Sequence, residues 1–200
     1  MPAILNDPVS IERLLQERML TGASRWDELW DGVWHMSPAP SLEHQRIEGE
    51  LFVLLREAVT LRGIGRVFHE VNVAHPAKPT QDFRIPDLCV ILENNRDAQL
   101  HENYILGAPD LVVEIHSPGD ETYAKLDWYA QIGVKEILVI QRDSKVVEQY
   151  VPGSRGLLRR STEEGQVSLV TVPLDMERVD EGAGVQIRVR CRQSGATWSI

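Results

Sequence analysis

The stretch Phe83-Arg84-Ile85-Pro86-Asp87-Leu88-Cys89-Val90-Ile91, with Leu111-Val112-Val113-Glu114-Ile115 after it, decides how this chain folds. Both runs are almost continuously apolar, as expected of central strands covered on both faces. Yet each carries one carboxylate. An ionised acid in a buried strand costs roughly several kcal/mol unless a cation, a metal or strong donors compensate it. A helix bearing Lys125 follows the second run closely. Two acids with a lysine behind them point to a charged site at the ends of adjacent strands.

Outward from these runs, the pattern predicts a mixed α/β order. Residues 10–19 form a short helix with Ser10 as N-cap. Asp31-Gly32 turns a hairpin between the aromatic-rich segments 25–30 and 33–37. Ser41 caps a long amphipathic helix over 42–61, with Ile47, Leu51, Leu54, Leu55 and Ala58 on its apolar stripe and Gly63 ending it. Strands are predicted over 66–74, 83–92 and 110–116, with a polar loop and a helical turn over 93–109. A helix over 120–133 starts with Asp120 and Glu121 and stops at Gly133. A second hairpin joins 136–141 to 146–151, and 153–165 reads as loop. The strand-like pieces 167–172 and 185–191 have no assigned place. There are no internal repeats. The order indicates one α/β domain over 1–200 with a mixed central sheet flanked by helices.

Composition narrows the function. The chain has 200 residues, 42% hydrophobic and 26% charged, enough for one domain with a real core. Its formal charge of −9 argues against a dedicated electrostatic binder of nucleic acid. It leaves open an enzyme that meets nucleic acid through a local groove or a divalent metal. The two cysteines, Cys89 and Cys191, are far apart, and Cys89 reads as an inert buried thiol. No apolar run approaches the ~20 residues of a membrane span, and the first residues lack a signal-peptide pattern. A reducing cytoplasm and no membrane partner are expected. Gly-x-Gly-x-x-Gly, Walker-type, Gly-x-Ser-x-Gly and Cys-x-x-Cys motifs are all missing, which removes the dinucleotide, P-loop, serine-hydrolase and zinc-ribbon readings.

Strand alternation sets Glu114 and His116 on one face and Ile115 on the other. If the Asp87 strand neighbours the Glu114 strand, the two carboxylates converge within reach of one divalent ion, the ligand type that Mg²⁺ takes. The competing reading pairs them with Arg84 or Lys125 as structural ion pairs. Lys125 shares a stripe with Trp128, Tyr129 and Ile132, so it either snorkels past them or points at the carboxylates. On the long helix, His44 lies with Ile47 and Leu51, and Glu50 reads as core-facing between Ile47 and Leu54. Glu50 is then a further carboxylate for the metal or a solvated edge residue; His44 either supports the site or bonds only to the 37–41 turn. His35, His69, His75 and His101 lack metal-ligand spacing.

These residues fall in segments that resemble the Uma2 family (DUF820), placed among the PD-(D/E)XK restriction-endonuclease-like nucleases. The matching segments are Trp30-Asp31-Gly32, Met36-Ser37-Pro38-Ala39-Pro40-Ser41 with His44-Gln45-Arg46-Ile47, Pro86-Asp87-Leu88, Gly107-Ala108-Pro109-Asp110-Leu111-Val112-Val113-Glu114-Ile115 with Ser117-Pro118, and Lys125, Tyr129-Ala130 and Gly133-Val134-Lys135-Glu136. They cover about 26–150. The resemblance implies a restriction-endonuclease-like core and a Mg²⁺- or Mn²⁺-dependent phosphodiesterase site. Asp87 and Glu114 match its metal-binding acids. Lys125 matches its lysine, moved to the helix because His116 fills the usual Glu-x-Lys place. Glu50, His44 and His116 are possible supporting residues. Two departures stand out: Gln141 replaces an aspartate common in such relatives, and the tail beyond Tyr150 offers no resemblance of use. The expected activity is cleavage of DNA phosphodiester bonds by a homodimer, since two-fold symmetry is the commonest assembly. The alternatives are an inactive binding or assembly module on the same fold, or a hydrolase of another phosphoester.

Overall fold

A computed structural model describes residues 8–154, 156–161, 165–182 and 184–200. The predicted absence of a leader concerns residues that include 1–7, outside the described ones. In chain order come α1 (Pro8–Thr21), a 3₁₀ turn (Ala23–Trp26), β1 (Asp27–Trp30), β2 (Val33–Met36), α2 (Leu42–Leu55), β3 (Gly65–His69) and β4 (Asn72–Ala74). Then follow β5 (Phe83–Arg84), β6 (Leu88–Leu92), β7 (Ala98–Leu100), β8 (Tyr104–Gly107), β9 (Leu111–His116), α3 (Thr122–Ile132), β10 (Glu136–Gln141) and β11 (Val147–Gly153). The chain continues with β12 (Gly156–Arg159), β13 (Val167–Ser168), β14 (Leu174–Glu181), β15 (Gly184–Cys191) and β16 (Thr197–Ser199).

The central sheet has the order β12-β11-β10-β9-β6-β3. It is mixed: β9 and β10 run parallel, and its other pairs are antiparallel. One face packs on α2, through Leu88, Val90, Val113, Ile115 and Ile140 against Ile47, Leu51 and Leu55. The other packs on α3, through Cys89, Val112, Ile137 and Val139 against Leu126, Trp128 and Tyr129. Helices therefore flank a mixed sheet, as the sequence predicts. A second sheet of short strands, β2-β1-β5-β4-β8-β7, borders the α3 side through Val73 and Ile105.

Several predicted elements are corrected. The predicted strands over 66–74 and 83–92 are each divided between the two sheets. The first breaks at Glu70, whose φ of 45° is left-handed. The second breaks at Ile85-Pro86, because proline has no N–H to give a ladder. The backbone N–H of Glu70 donates to the carbonyl of Asp87 at 3.1 Å, which joins the two breaks. The 93–109 segment contains the β7–β8 hairpin rather than a plain loop. Helix α1 begins at Pro8, so Ser10 lies in its first turn and is not the cap. The 42–61 helix holds as α2 extended by a π-type turn, Arg56–Thr60. Strand β12 occupies part of the predicted 153–165 loop, of which 155 and 162–164 lie outside the described residues.

The tail folds as an antiparallel sheet, β13-β14-β15-β16. Ile187, Val189 and Cys191 of β15 join the α2-side core. Fully buried Glu136 ties this sheet down: its carboxylate accepts from the backbone N–H of Val170 (2.9 Å) and Thr171 (2.9 Å), the Thr171 hydroxyl and the Gln149 amide. Both cysteines are free thiols; Cys89 is 0% exposed on the α3 face and Cys191 1% exposed on the α2 face. No helix among the described residues is long and apolar enough to cross a membrane.

Candidate metal-binding active site

Asp87 stands just outside β6, at the Pro86 break, and its carboxylate faces between the two helix layers. Oδ2 accepts the backbone N–H of Ile115 at 2.5 Å. Oδ1 accepts Nε2–H of His44 at 2.9 Å. The β6–β9 register pairs Leu88 with Val113, so one further step sets Asp87 opposite Glu114. The register therefore sets the two acids opposite each other on neighbouring strands, both lining one cleft, while the closest potential ligand partners of Asp87 are His44 and Glu48 and not Glu114.

Alternation on β9 turns Glu114 toward α3, where positions four apart lie on one face. There Lys125 Nζ sits 3.2 Å from Glu114 Oε2, and the Tyr129 hydroxyl donates to Glu114 Oε1 at 2.6 Å. The Lys125 side chain thus points at the carboxylate and does not snorkel past it. Its second partner is Glu28 of β1, at 2.8 Å. Glu28 is itself held by the backbone N–H of Ile85 (2.7 Å) and the Trp30 indole N–H (2.6 Å). Arg84 is not part of this pairing. It bonds Asp82 at 2.9 Å, and its guanidinium lies between the rings of Trp30 and Trp128.

Helix α2 supplies the other wall. The Ser41 hydroxyl caps it by accepting the His44 backbone N–H at 3.2 Å. This cap leaves the His44 ring free for Asp87. One turn on, Glu48 is buried and faces the same place. Ligand atoms of His44, Glu48 and Asp87 all lie within 4.8 Å of one another. Glu48 Oε1 also lies 3.7 Å from His69 Nδ1. Glu50, read from the sequence as core-facing, is exposed. Two residues on from Glu48, it lies about 200° round the helix. His116 turns aside, with Nδ1 2.7 Å from Asp120 Oδ1 and its ring edge-on to Tyr123. Asp120 in turn receives the N–H groups of Ser117 (2.6 Å) and Thr122 (3.0 Å), which shapes the start of α3.

These side chains open into a cleft of about 360 Å³ between the β1–β2 hairpin, the start of α2 and the β9–α3 turn. Asp87, Glu114, Lys125, His44 and Glu28 all line it.

Its electrostatics are those of surplus negative charge. Glu28, Glu48, Asp87 and Glu114 face Lys125 and His44. Burial pushes the Glu48 carboxyl up to about 7, and Asp87 and Glu70 add to it. Burial holds the Glu114 carboxyl above its ordinary value against the opposing pull of Lys125. Burial alone would lower the Lys125 ammonium, but Glu114 and Glu28 outweigh it and hold it above its ordinary value. The same contest at His44 ends in a raised pKa, through the Asp87 hydrogen bond.

A divalent cation fits this donor set. It would offset the excess charge, and the 2.9 Å between His44 Nε2 and Asp87 Oδ1 is close to the edge of an octahedron with bonds of about 2.1 Å. The proton of that hydrogen bond holds the pair at ligand spacing without a metal. Glu28, Glu48 and Tyr129 were not singled out from the sequence. The i, i+4 spacings His44/Glu48 and Lys125/Tyr129 were visible there; nothing local marked Glu28.

The comparisons agree on the scaffold. A family model described as "Uma2: Putative restriction endonuclease" matches residues 17–179. Among solved structures, a putative nuclease belonging to DUF820 from Anabaena variabilis superposes with a TM-score of 0.58 at 20% identity. The match covers 72% of this chain and 82% of that one. No curated protein matches the sequence.

Proposed function

Because the chain belongs to the Uma2 family, whose model spans 17–179, we propose that it is a divalent-metal-dependent endonuclease that hydrolyses DNA phosphodiester bonds. The observation that carries this reading is the convergence of Asp87, Glu114 and Lys125 in one cleft with His44 and Glu48 beside them. Asp87 would be the shared ligand, with His44 and Glu48 on its α2 side and Glu114 on its α3 side. A carboxylate-rich set with one imidazole suits Mn²⁺ as well as Mg²⁺. When bound, such an ion polarises the scissile phosphate and lowers the pKa of a water. Lys125 would orient the attacking water or neutralise charge developing on the phosphate. Glu28 keeps the lysine aimed, and Tyr129 fixes the Glu114 carboxylate. We place the activity in the cytoplasm, in a homodimer whose two sites cut both strands.

One observation favours a non-enzymatic relative instead: Lys125 already pairs with two carboxylates, as a purely structural lysine would. Plasmid nicking with Mg²⁺ or Mn²⁺ separates the two. Wild-type protein should nick, and Glu114→Ala should lose the activity by at least about 100-fold, the scale of removing one transition-state stabiliser. Equal nicking by both proteins would end the nuclease reading. Calorimetric titration of Mn²⁺ should show binding to wild type and none to Asp87→Ala.

A further inference from the structure

The cleft is poor in cations, which poses a problem for any nuclease of a −9 chain. A polyanion brought to Glu28, Asp87 and Glu114 meets repulsion that one metal site only partly cancels. The C-terminal sheet, which shares no lining residue with the cleft, carries a groove of about 930 Å³. Among the described residues, Arg160, Arg188, Arg190 and Arg192 line it with two acids, Asp175 and Glu177.

Alternation on β15 creates this row. Ile187, Val189 and Cys191 turn into the core, so Arg188, Arg190 and Arg192 turn outward. Arg192 is fixed by the carbonyls of Leu169 (2.7 Å) and Val172 (3.0 Å) and by Asp175 (2.6 Å). Arg188 pairs with Glu177 at 2.7 Å. Among the described residues, the exposed side chains of Arg160 and Arg190 form no ion pair or hydrogen bond. The hydroxyls of Ser168 and Thr197 also border the groove. The row thus presents two guanidiniums fixed by acids, a third, Arg190, opposite Asp175 on β14 with no direct bond to it, and Arg160 beside them.

We propose that this groove binds the phosphodiester backbone of nucleic acid and holds the substrate for the nuclease reading, on which the proposal rests. Outward side chains on one strand repeat every two residues, about 6.6 Å. A repeat of that size suits successive phosphates of one strand better than the irregular charges of an acidic peptide. Arginine with serine and threonine hydroxyls is the donor set that positions a nucleic-acid backbone.

The test is fluorescence anisotropy with a labelled DNA duplex in EDTA, so that binding is read without cleavage. Wild type, Arg160→Gln/Arg190→Gln and Arg160→Glu/Arg190→Glu are compared, with Arg66→Gln on β3 as a control outside the groove. Circular dichroism melting confirms that each variant is folded. The expected result is an affinity loss of about 10-fold or more in the charge-reversed variant. In the glutamine variant, the slope of log K against log salt should shrink by roughly one to two. Affinity and slope equal to wild type would overturn the assignment and leave an acidic protein as the groove's occupant. So would a wild type that binds no duplex. Failure here is distinct from failure of the nuclease reading, which is decided by nicking with Glu114→Ala.

Discussion

Lys125 has two claimants, Glu28 at 2.8 Å and Glu114 at 3.2 Å, and Glu28 decides where the ammonium points. Glu28→Gln should keep the acceptor for the Ile85 N–H and lose the charge that aims the lysine. The expected outcome is a 10- to 100-fold drop in nicking, roughly, the scale of supporting partners around a metal site, with the far-ultraviolet circular dichroism unchanged. Full activity in this variant would remove Glu28 from the site. The raised carboxyls give a pH signature. Glu48 at about 7, with Glu114 also raised, keeps protons in the folded state that the unfolded chain releases near pH 4.5 or below. The folded state therefore holds more protons from pH ~4.5 up through ~7, and stability falls as pH rises through that window. Metal binding needs the same carboxylates deprotonated, so it strengthens over the same range. Scanning fluorimetry in EDTA should show a melting temperature that declines from pH 5 to 8, and a Mn²⁺-induced gain that grows. A gain independent of pH would exclude both carboxylates as ligands. Asp87 and Glu114 were legible because acids in apolar runs are conspicuous, and Lys125 because its helix follows the second run closely. Glu28 was not, because Asp27 and Glu28 sit together in a short hairpin strand where period alone does not say which one enters the site.

At the level of elements, β6, β9, α2 and α3 were readable because their apolar runs are continuous or helically spaced. The two predicted strands that break were misread for a local reason. Pro86 and left-handed Glu70 act on single residues, while hydrophobic pattern averages over several. Those breaks matter, since the Pro86 bend is what frees Asp87 from the ladder to face His44. In the tail, strands were legible near 167 and over 185–191, but their pairing was not, for a different cause. The short strands β13 and β16 carry little pattern, and β14, Leu174–Glu181, is rich in charge on its outer face. The tail's hold on the core combines apolar packing by Leu174, Met176, Ile187 and Val189 with the hydrogen bonds to Glu136. Glu136→Ala should strand the Val170 and Thr171 N–H donors and cost about 1.5–3 kcal/mol, the range for hydrogen bonds to a charged group. Urea unfolding checks this; a midpoint equal to wild type would mean the C-terminal sheet is held by apolar packing alone.

For the whole molecule, the proposed homodimer has apolar surface available. Val9, Met19 and Leu20 are exposed on α1, and Val33 and Trp34 on the β1–β2 hairpin. Light scattering should return twice the chain mass, and Trp34→Glu or Met19→Glu with Leu20→Glu should shift it toward the single-chain value, according to which patch makes the contact. A single-chain mass for wild type would withdraw the dimer. The two cysteines carry another consequence. Each thiol is sealed on a different side of the central sheet, Cys89 under α3 and Cys191 beneath the arginine row. A thiol-reactive dye can reach either sulfur only when its own layer separates. Single-cysteine versions of the protein would therefore act as two independent clocks, one timing the opening of the α3 side and the other the peeling away of the C-terminal sheet.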